Sequence, residues 1–202
     1  MKHSLLLVAV VALVAFAAPA HSQYMFLDIN NDGACTTADL LVPGTTSVDV
    51  WVKTNMNEDG SPAVCTIDPG SNLTINSYEF FVRASGTMTL GAWSDNLSYP
   101  TSFGDFQAGT DAYHGRAGTQ LAAGTYKLGT LAISGVAAGA RLDIVAGSTV
   151  NPPGFTSFGS NCPGNDFDNT MKLNSDWNDV CGTASTTPVT STTWGQIKSI
   201  YR

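Results

Sequence analysis

The 202-residue sequence predicts an all-β fold: an antiparallel β-sandwich with a calcium loop at its N-terminal edge. Three observations carry that prediction. Short runs that alternate apolar and polar residues, such as Ser47-Val48-Asp49-Val50-Trp51-Val52-Lys53, recur between Gly-, Ser- and Asn-rich breaks, and a period of two marks half-buried strands. Aspartate far outnumbers glutamate, which occurs only as Glu58 and Glu79. With abundant Gly, Ser and Thr, that composition suits turns and strands better than helices. Finally, Asp28-Ile29-Asn30-Asn31-Asp32-Gly33-Ala34-Cys35-Thr36-Thr37-Ala38-Asp39-Leu40 places oxygen side chains at loop positions one, three, five, nine and twelve, with Gly at six. That is the spacing of a calcium loop.

In chain order, a short basic start, an apolar run over 4–18 and small residues before Gln23 describe a secretory signal peptide spanning 1–22. Cleavage after Ser22 makes Gln23 the first mature residue, with cleavage after Ala20 as the alternative. The run is too short for a membrane span, no Cys at the cleavage point suggests a lipoprotein, and no second apolar run suggests an anchor. The chain is therefore expected to be secreted. Its formal charge of −7 argues against a nucleic-acid partner.

The region 23–182 reads as one domain with a sizeable core. In the loop at 28–40, Asp28, Asn30, Asp32, Thr36 and Asp39 offer side-chain oxygens, and Gly33 lets the backbone fold back so that the Ala34 carbonyl faces a hard cation. Leu40 is the apolar residue expected to close it. An Asx-rich surface turn is the alternative reading of the same residues. A turn of helix over 37–41 is expected to stop at Val42-Pro43-Gly44.

Strand 47–53 follows. The polar loop 54–60 repeats half of the calcium spacing through Asn55, Asn57, Asp59 and Gly60, but Thr66 stands where a closing acid belongs. Residues 72–75 and 77–83 predict one long strand or two short ones, and 87–93 a strand pairing back as a hairpin. The glycine-rich 94–118 predicts loops and short edge strands. Two more strands are expected over 125–133 and 141–145. The acidic patch at 165–179 offers Asn165, Asp166, Asp168, Asn169, Asp176 and Asp179 without a loop template. A Ser/Thr/Pro linker at 183–193 leads to a tail, 194–202, with Trp194, Ile197 and Ile200 or Tyr201 on one helical face.

Four cysteines in an exported chain imply two disulfides in one of three connectivities. If the first and last segments of the domain lie side by side, Cys35 pairs with Cys181 and Cys65 with Cys162.

The loop resembles an EF-hand-type calcium loop, and most closely the loop-helix repeat of dockerins, whose twelfth residue is often Asp, as Asp39 is here. That resemblance implies calcium ligation by Asp28, Asn30, Asp32 and Asp39 side chains, the Ala34 carbonyl, and Thr36 directly or through water. The chain departs from dockerins in carrying one full repeat and in Pro43, which cuts the following helix short. The body, 47–149, resembles the cohesin and carbohydrate-binding-module type of sandwich, a jelly-roll or cohesin-like build found among exported bacterial proteins. The resemblance rests on the strands at 48–52, 78–82 and 126–133.

Catalysis is not expected. Beyond the signal peptide His114 is the only histidine, and no nucleophile-elbow spacing lies near it. The sequence therefore points to a non-catalytic, calcium-stabilised module for extracellular adhesion or assembly, its partner a protein or a polysaccharide. The alternative is a carbohydrate-binding module using exposed Trp93, Tyr99, Phe103 and Tyr113. A glycan-active hydrolase using paired aspartates is the third reading.

Overall fold

A computed structural model describes residues 24–162, except 37, 57–61, 64, 66–67, 69, 72, 146 and 149–153. The expected signal peptide, the centre of the polar loop 54–60 with Thr66, the acidic patch 165–179, Cys181, the linker and the tail lie outside the described residues.

Among the described residues eleven strands make two antiparallel sheets and a small ladder. The first sheet has the order β1 (Tyr24–Asp28), β2 (Ser47–Lys53), β7 (Thr125–Ser134), β4 (Thr89–Asp95). In the second, β3 (Ile75–Ser85) is flanked on one side by β6 (Asp111–Leu121) and then β5 (Thr101–Ala108). On its other side lie β8 (Arg141–Val145) and β11 (Ser157–Gly159). β9 (Gly147–Ser148) and β10 (Gly154–Phe155) pair with each other.

The alternation in the sequence decides which side chains face inward. Val48, Val50 and Val52 of β2 are buried between the sheets, while Asp49, Trp51 and Lys53 occupy the opposite face. On β3, Tyr78, Phe80, Val82 and Ala84 point into the same core, joined by Met25 and Leu27 of β1, Leu128, Leu131 and Ile133 around β7, Leu142 and Ile144 of β8, and Phe158 of β11. One apolar cluster drawn from both sheets is the defining feature of a sandwich. Burying each such side chain is worth about 1.5–3 kcal/mol.

One strand is not anticipated from the sequence, and three local expectations are revised. The unanticipated strand is β1, paired with β2 in the register Tyr24↔Lys53 to Asp28↔Asp49. Strand β4 does not fold back on β3 as a hairpin, because β3 is already flanked by β6 and β8; β4 crosses to the other sheet and pairs with β7. The region 94–118 is not mostly loop: β5 and β6 form a hairpin around Gly109 and Thr110, and β6 runs for 11 residues. Here Gly118 is required because a Cβ would stand 2.5 Å from the Tyr99 ring. No helix forms among the described residues of 37–41. A turn closes there instead, with Asp39 N donating to the Thr36 carbonyl at 3.2 Å.

Cys65 and Cys162 are joined by a disulfide, matching the expected pairing, across a sequence separation of 97. With Ala63 and Leu73 they form a small second core beside β3. Cys35 is also disulfide-bonded, with its partner outside the described residues. Because the Cys65–Cys162 bond closes a long loop in the unfolded chain, replacing both cysteines by Ala is expected to lower stability by about 2–5 kcal/mol. The measurement is urea denaturation, with a lower midpoint and a steeper slope, because the unfolded chain without the cross-link exposes more surface.

Candidate functional site

The N-terminal loop is built by backbone amides that converge on two carboxylates. Asp28 ends β1; its Oδ1 accepts from Asn31 N at 2.7 Å and its Oδ2 from Gly33 N at 2.8 Å. Asp39 lies opposite: Oδ1 accepts from Ile29 N at 2.9 Å and Asn30 N at 3.3 Å, and Oδ2 from Thr36 N at 2.9 Å and Thr36 Oγ1 at 3.3 Å. Asn31 (φ 61°) and Gly33 (φ 72°) adopt the left-handed conformation that this tight path needs. On the exposed rim Asp32 Oδ1 accepts from Ala34 N and Asn30 Oδ1 from Asp32 N.

Both Asp28 and Asp39 are 0 % exposed, and they are close enough to interact directly. Burial pushes the Asp28 carboxyl above its ordinary range and the adjacent Asp39 charge adds to this, against the pull of the Gly33 and Asn31 amides. None of the ion pairs among the described residues involves either acid. Asp49, opposite Asp28 in the β1–β2 register, is by contrast neutralised by Lys127 Nζ at 2.5 Å and bonded by Thr130 Oγ1 at 2.6 Å.

Two buried like charges in contact suit a cation between them, and the donor set here is entirely oxygen, as calcium prefers. Among the described residues no three His, Cys, Asp or Glu side chains gather as a metal-holding group. The remaining candidate ligands are correspondingly the amide of Asn30, the Ala34 carbonyl, the Thr36 hydroxyl and rim Asp32.

The loop lies on the outer face of the first sheet. A Cβ at Gly33 would stand 3.2 Å from the Trp51 ring, and Trp51 stacks on Phe26 with centroids 6.2 Å apart. Lys53 Nζ sits 5.6 Å from the centres of both the Tyr24 and Phe26 rings, within cation–π range. Leu40 does not close the loop: it is 46 % exposed, and Ile29 and Leu41 pack on the core instead.

A second polar assembly, not anticipated from the sequence, bridges the two sheets where β4 faces β5 and β6. Buried Arg116 donates from Nε to Asp95 Oδ2 at 3.0 Å, from Nη2 to Asp105 Oδ2 at 2.9 Å, and from Nη1 to Ser102 Oγ at 3.0 Å. Trp93 Nε1 donates to the other oxygen of Asp95 at 2.6 Å. His114, 5 % exposed, stacks on Trp93 (centroids 4.7 Å apart, planes 19°) and contacts Phe80 at 5.6 Å.

Burial alone would raise Asp105, yet the hydrogen bonds from Arg116 and His114 hold it below its ordinary value. An ionised carboxylate only accepts, so His114 Nδ1 carries the proton it shares with Asp105 Oδ1 across 2.9 Å. His114 Nε2 is then an acceptor with no partner among the described residues. This arrangement gives His114 a place in a structural seam.

The four aromatics expected on a sugar-binding face are not brought together. Trp93 is in the seam, and Tyr99 packs on the core with its hydroxyl donating to the Ile75 carbonyl at 3.0 Å. Tyr113 is buried on the outer face of the second sheet, its ring tilted against Phe81 with centroids 4.8 Å apart and its hydroxyl donating to Glu79 Oε2 at 2.9 Å. Only Phe103 is largely open, at 52 % exposure.

Burial lowers the His114 pKa below the ordinary imidazole value, outweighing the opposing effect of Asp105. In the window between the folded value and about 6.5 the unfolded chain therefore binds the extra proton. The stability contributed by neutral His114 is present above about 6.5 and is lost as pH falls through the folded value. Denaturation midpoints are expected to drop as pH falls below about 6.5, and His114→Gln to flatten that decline.

No family model matches the sequence, and no curated protein matches it. Among solved structures the chain is similar to a type III cohesin module from the cellulosomal ScaE cell-surface anchoring scaffoldin of Ruminococcus flavefaciens. The match has 8 % sequence identity and a TM-score of 0.43, covering 77 % of this chain and 81 % of that one.

Proposed function

We propose that this chain is a secreted, non-catalytic β-sandwich module for extracellular adhesion or assembly, and that a calcium ion bound by the 28–39 loop staples its N-terminal edge. The observation that carries the calcium reading is the fully buried Asp28–Asp39 pair, for which no cationic side chain is provided among the described residues. Asp28, Asn30, Asp32, Asp39, Thr36 and the Ala34 carbonyl would hold the ion. Bound there, calcium supplies charge neutralisation and no chemistry. The leader-like N-terminus and the two disulfide-bonded cysteine sites support an oxidising, extracellular setting. A structural role for His114, locked against Asp105 and Trp93, supports a binding module over a hydrolase.

Extracellular loops of this kind bind calcium with dissociation constants of about 10⁻⁴–10⁻³ M. Calcium at a hundredfold excess over Kd stabilises the folded form by about 2.7 kcal/mol, or roughly 5–10 °C for a domain of this size. About 10 mM calcium is a ten- to hundredfold excess over such a Kd, so calorimetry in calcium against chelator is expected to show a rise of roughly 3–10 °C. Asp32→Ala, on the exposed rim, is expected to shrink it while leaving the melting temperature in chelator unchanged. Identical melting in calcium and in chelator would contradict the reading.

A further inference from the structure

Between the two edge strands a shallow open cleft of about 250 Å³ is lined by Gly91 to Trp93 of β4, Asp105 to Gln107 of β5, and His114 of β6. It is next to an irregularity in β4: pairing with β7 shifts register between Leu90 and Trp93. A bulge of this kind bends an edge strand away from its sheet and re-aims side chains. The volume is below the range of about 300–1,000 Å³ usual for drug-sized ligands, so the cleft has room for one small ring.

Its chemistry is specific. Trp93 and Phe106 supply apolar lining. Asp105 is about half exposed and is fixed from behind by Arg116 and His114, so its remaining lone pairs are held in place. Exposed Gln107 is fixed by its amide nitrogen donating to the Leu90 carbonyl, and its Oε1 takes no hydrogen bond from the described residues. His114, more than nine-tenths buried, closes the inner wall of the cleft with its ring stacked on Trp93. Fixed acceptors beside aromatic carbon, with no lysine or arginine among the lining residues, suit a neutral ligand that donates several hydroxyl hydrogens and has an apolar ring face. A phosphate or carboxylate would meet Asp105 and the Gln107 acceptor.

We infer that the β4–β5 cleft is a binding site for a single neutral sugar ring, with Gln107 and Asp105 accepting its hydroxyl hydrogens beside Trp93 and the edge of the His114 ring. The inference is independent of the calcium loop on the opposite edge of the first sheet, and it places sugar recognition in a pocket, not on a flat aromatic face.

The test is titration of the full chain with the methyl glycosides of glucose, galactose, mannose and N-acetylglucosamine, each up to about 0.1 M, followed by NMR of the His114 ring. The ring is assigned by its loss in His114→Gln. One of the four is expected to shift the His114 signals saturably, with a dissociation constant of about 1 mM. Gln107→Ala, an exposed substitution, is expected to weaken binding about tenfold, and Phe103→Ala to leave it unchanged. Absence of a shift with all four glycosides would overturn the inference. Binding that survives Gln107→Ala but is lost in Phe103→Ala would also overturn it, by moving the site to the outer face of the second sheet.

Discussion

Two carboxylates taken out of water side by side set the terms for the N-terminal edge of this protein. A buried carboxylate is tolerated only if hydrogen bonds, a proton or an opposite charge replace its lost hydration. For Asp28 and Asp39 the amides of the chain between them provide the first of these. The path of residues 29–36 is the one that aims five backbone N–H groups inward. That requirement explains the left-handed turns at Asn31 and Gly33, and it explains why the segment before Pro43 closes as a turn. The same path lays Gly33 on Trp51, so the loop also shields the aromatic cluster of Tyr24, Phe26 and Trp51 on the outside of the sheet. Charge and packing are coupled there: whatever relieves the carboxylates also fixes the cover over the aromatics.

The opposite edge solves a related problem with protein groups alone. Arg116 lies between Asp95 of one sheet and Asp105 of the other, and the Trp93–His114 stack crosses the same gap. A buried guanidinium with two carboxylates and a hydroxyl in reach is fully paired, which is the condition under which a buried ion pair does not destabilise. Removing one partner would strand the others, so the seam is specific as well as strong. The two edges thus differ in one respect that bears on function: one has its counter-charge built in, and the other presents acids alone.

Much of the sandwich is readable from the sequence because its core strands obey simple alternation: β2, β7 and β8 fall where Val48-Val50-Val52, Leu131-Ile133 and Leu142-Ile144 place them. Strand β6 is obscured because its inward positions include His114 and Arg116, whose burial depends on partners 9 to 21 residues away that no local pattern reveals. Strand β1 is obscured because it adjoins the leader-like segment and has both faces buried, leaving no alternation. The sheet to which β4 belongs is a matter of topology, decided by which sides of β3 are already occupied. At the candidate site, the pairing of Asp28 with Asp39 follows the spacing legible in the sequence, but the exposure of Leu40 and the packing of Ile29 and Leu41 on the core carry no local signal.

The most direct test of a cation at Asp28 and Asp39 uses the ring that the loop already touches. Terbium, a calcium mimic with the same preference for oxygen ligands, emits when an excited tryptophan lies close by, and Trp51 is in contact distance of Gly33. The account predicts sensitised terbium emission on tryptophan excitation, displaced by calcium, abolished by Asp28→Asn, and greatly reduced by Trp51→Phe but not by Trp93→Phe. Emission that is absent, that calcium does not displace, or that persists in Asp28→Asn would contradict it.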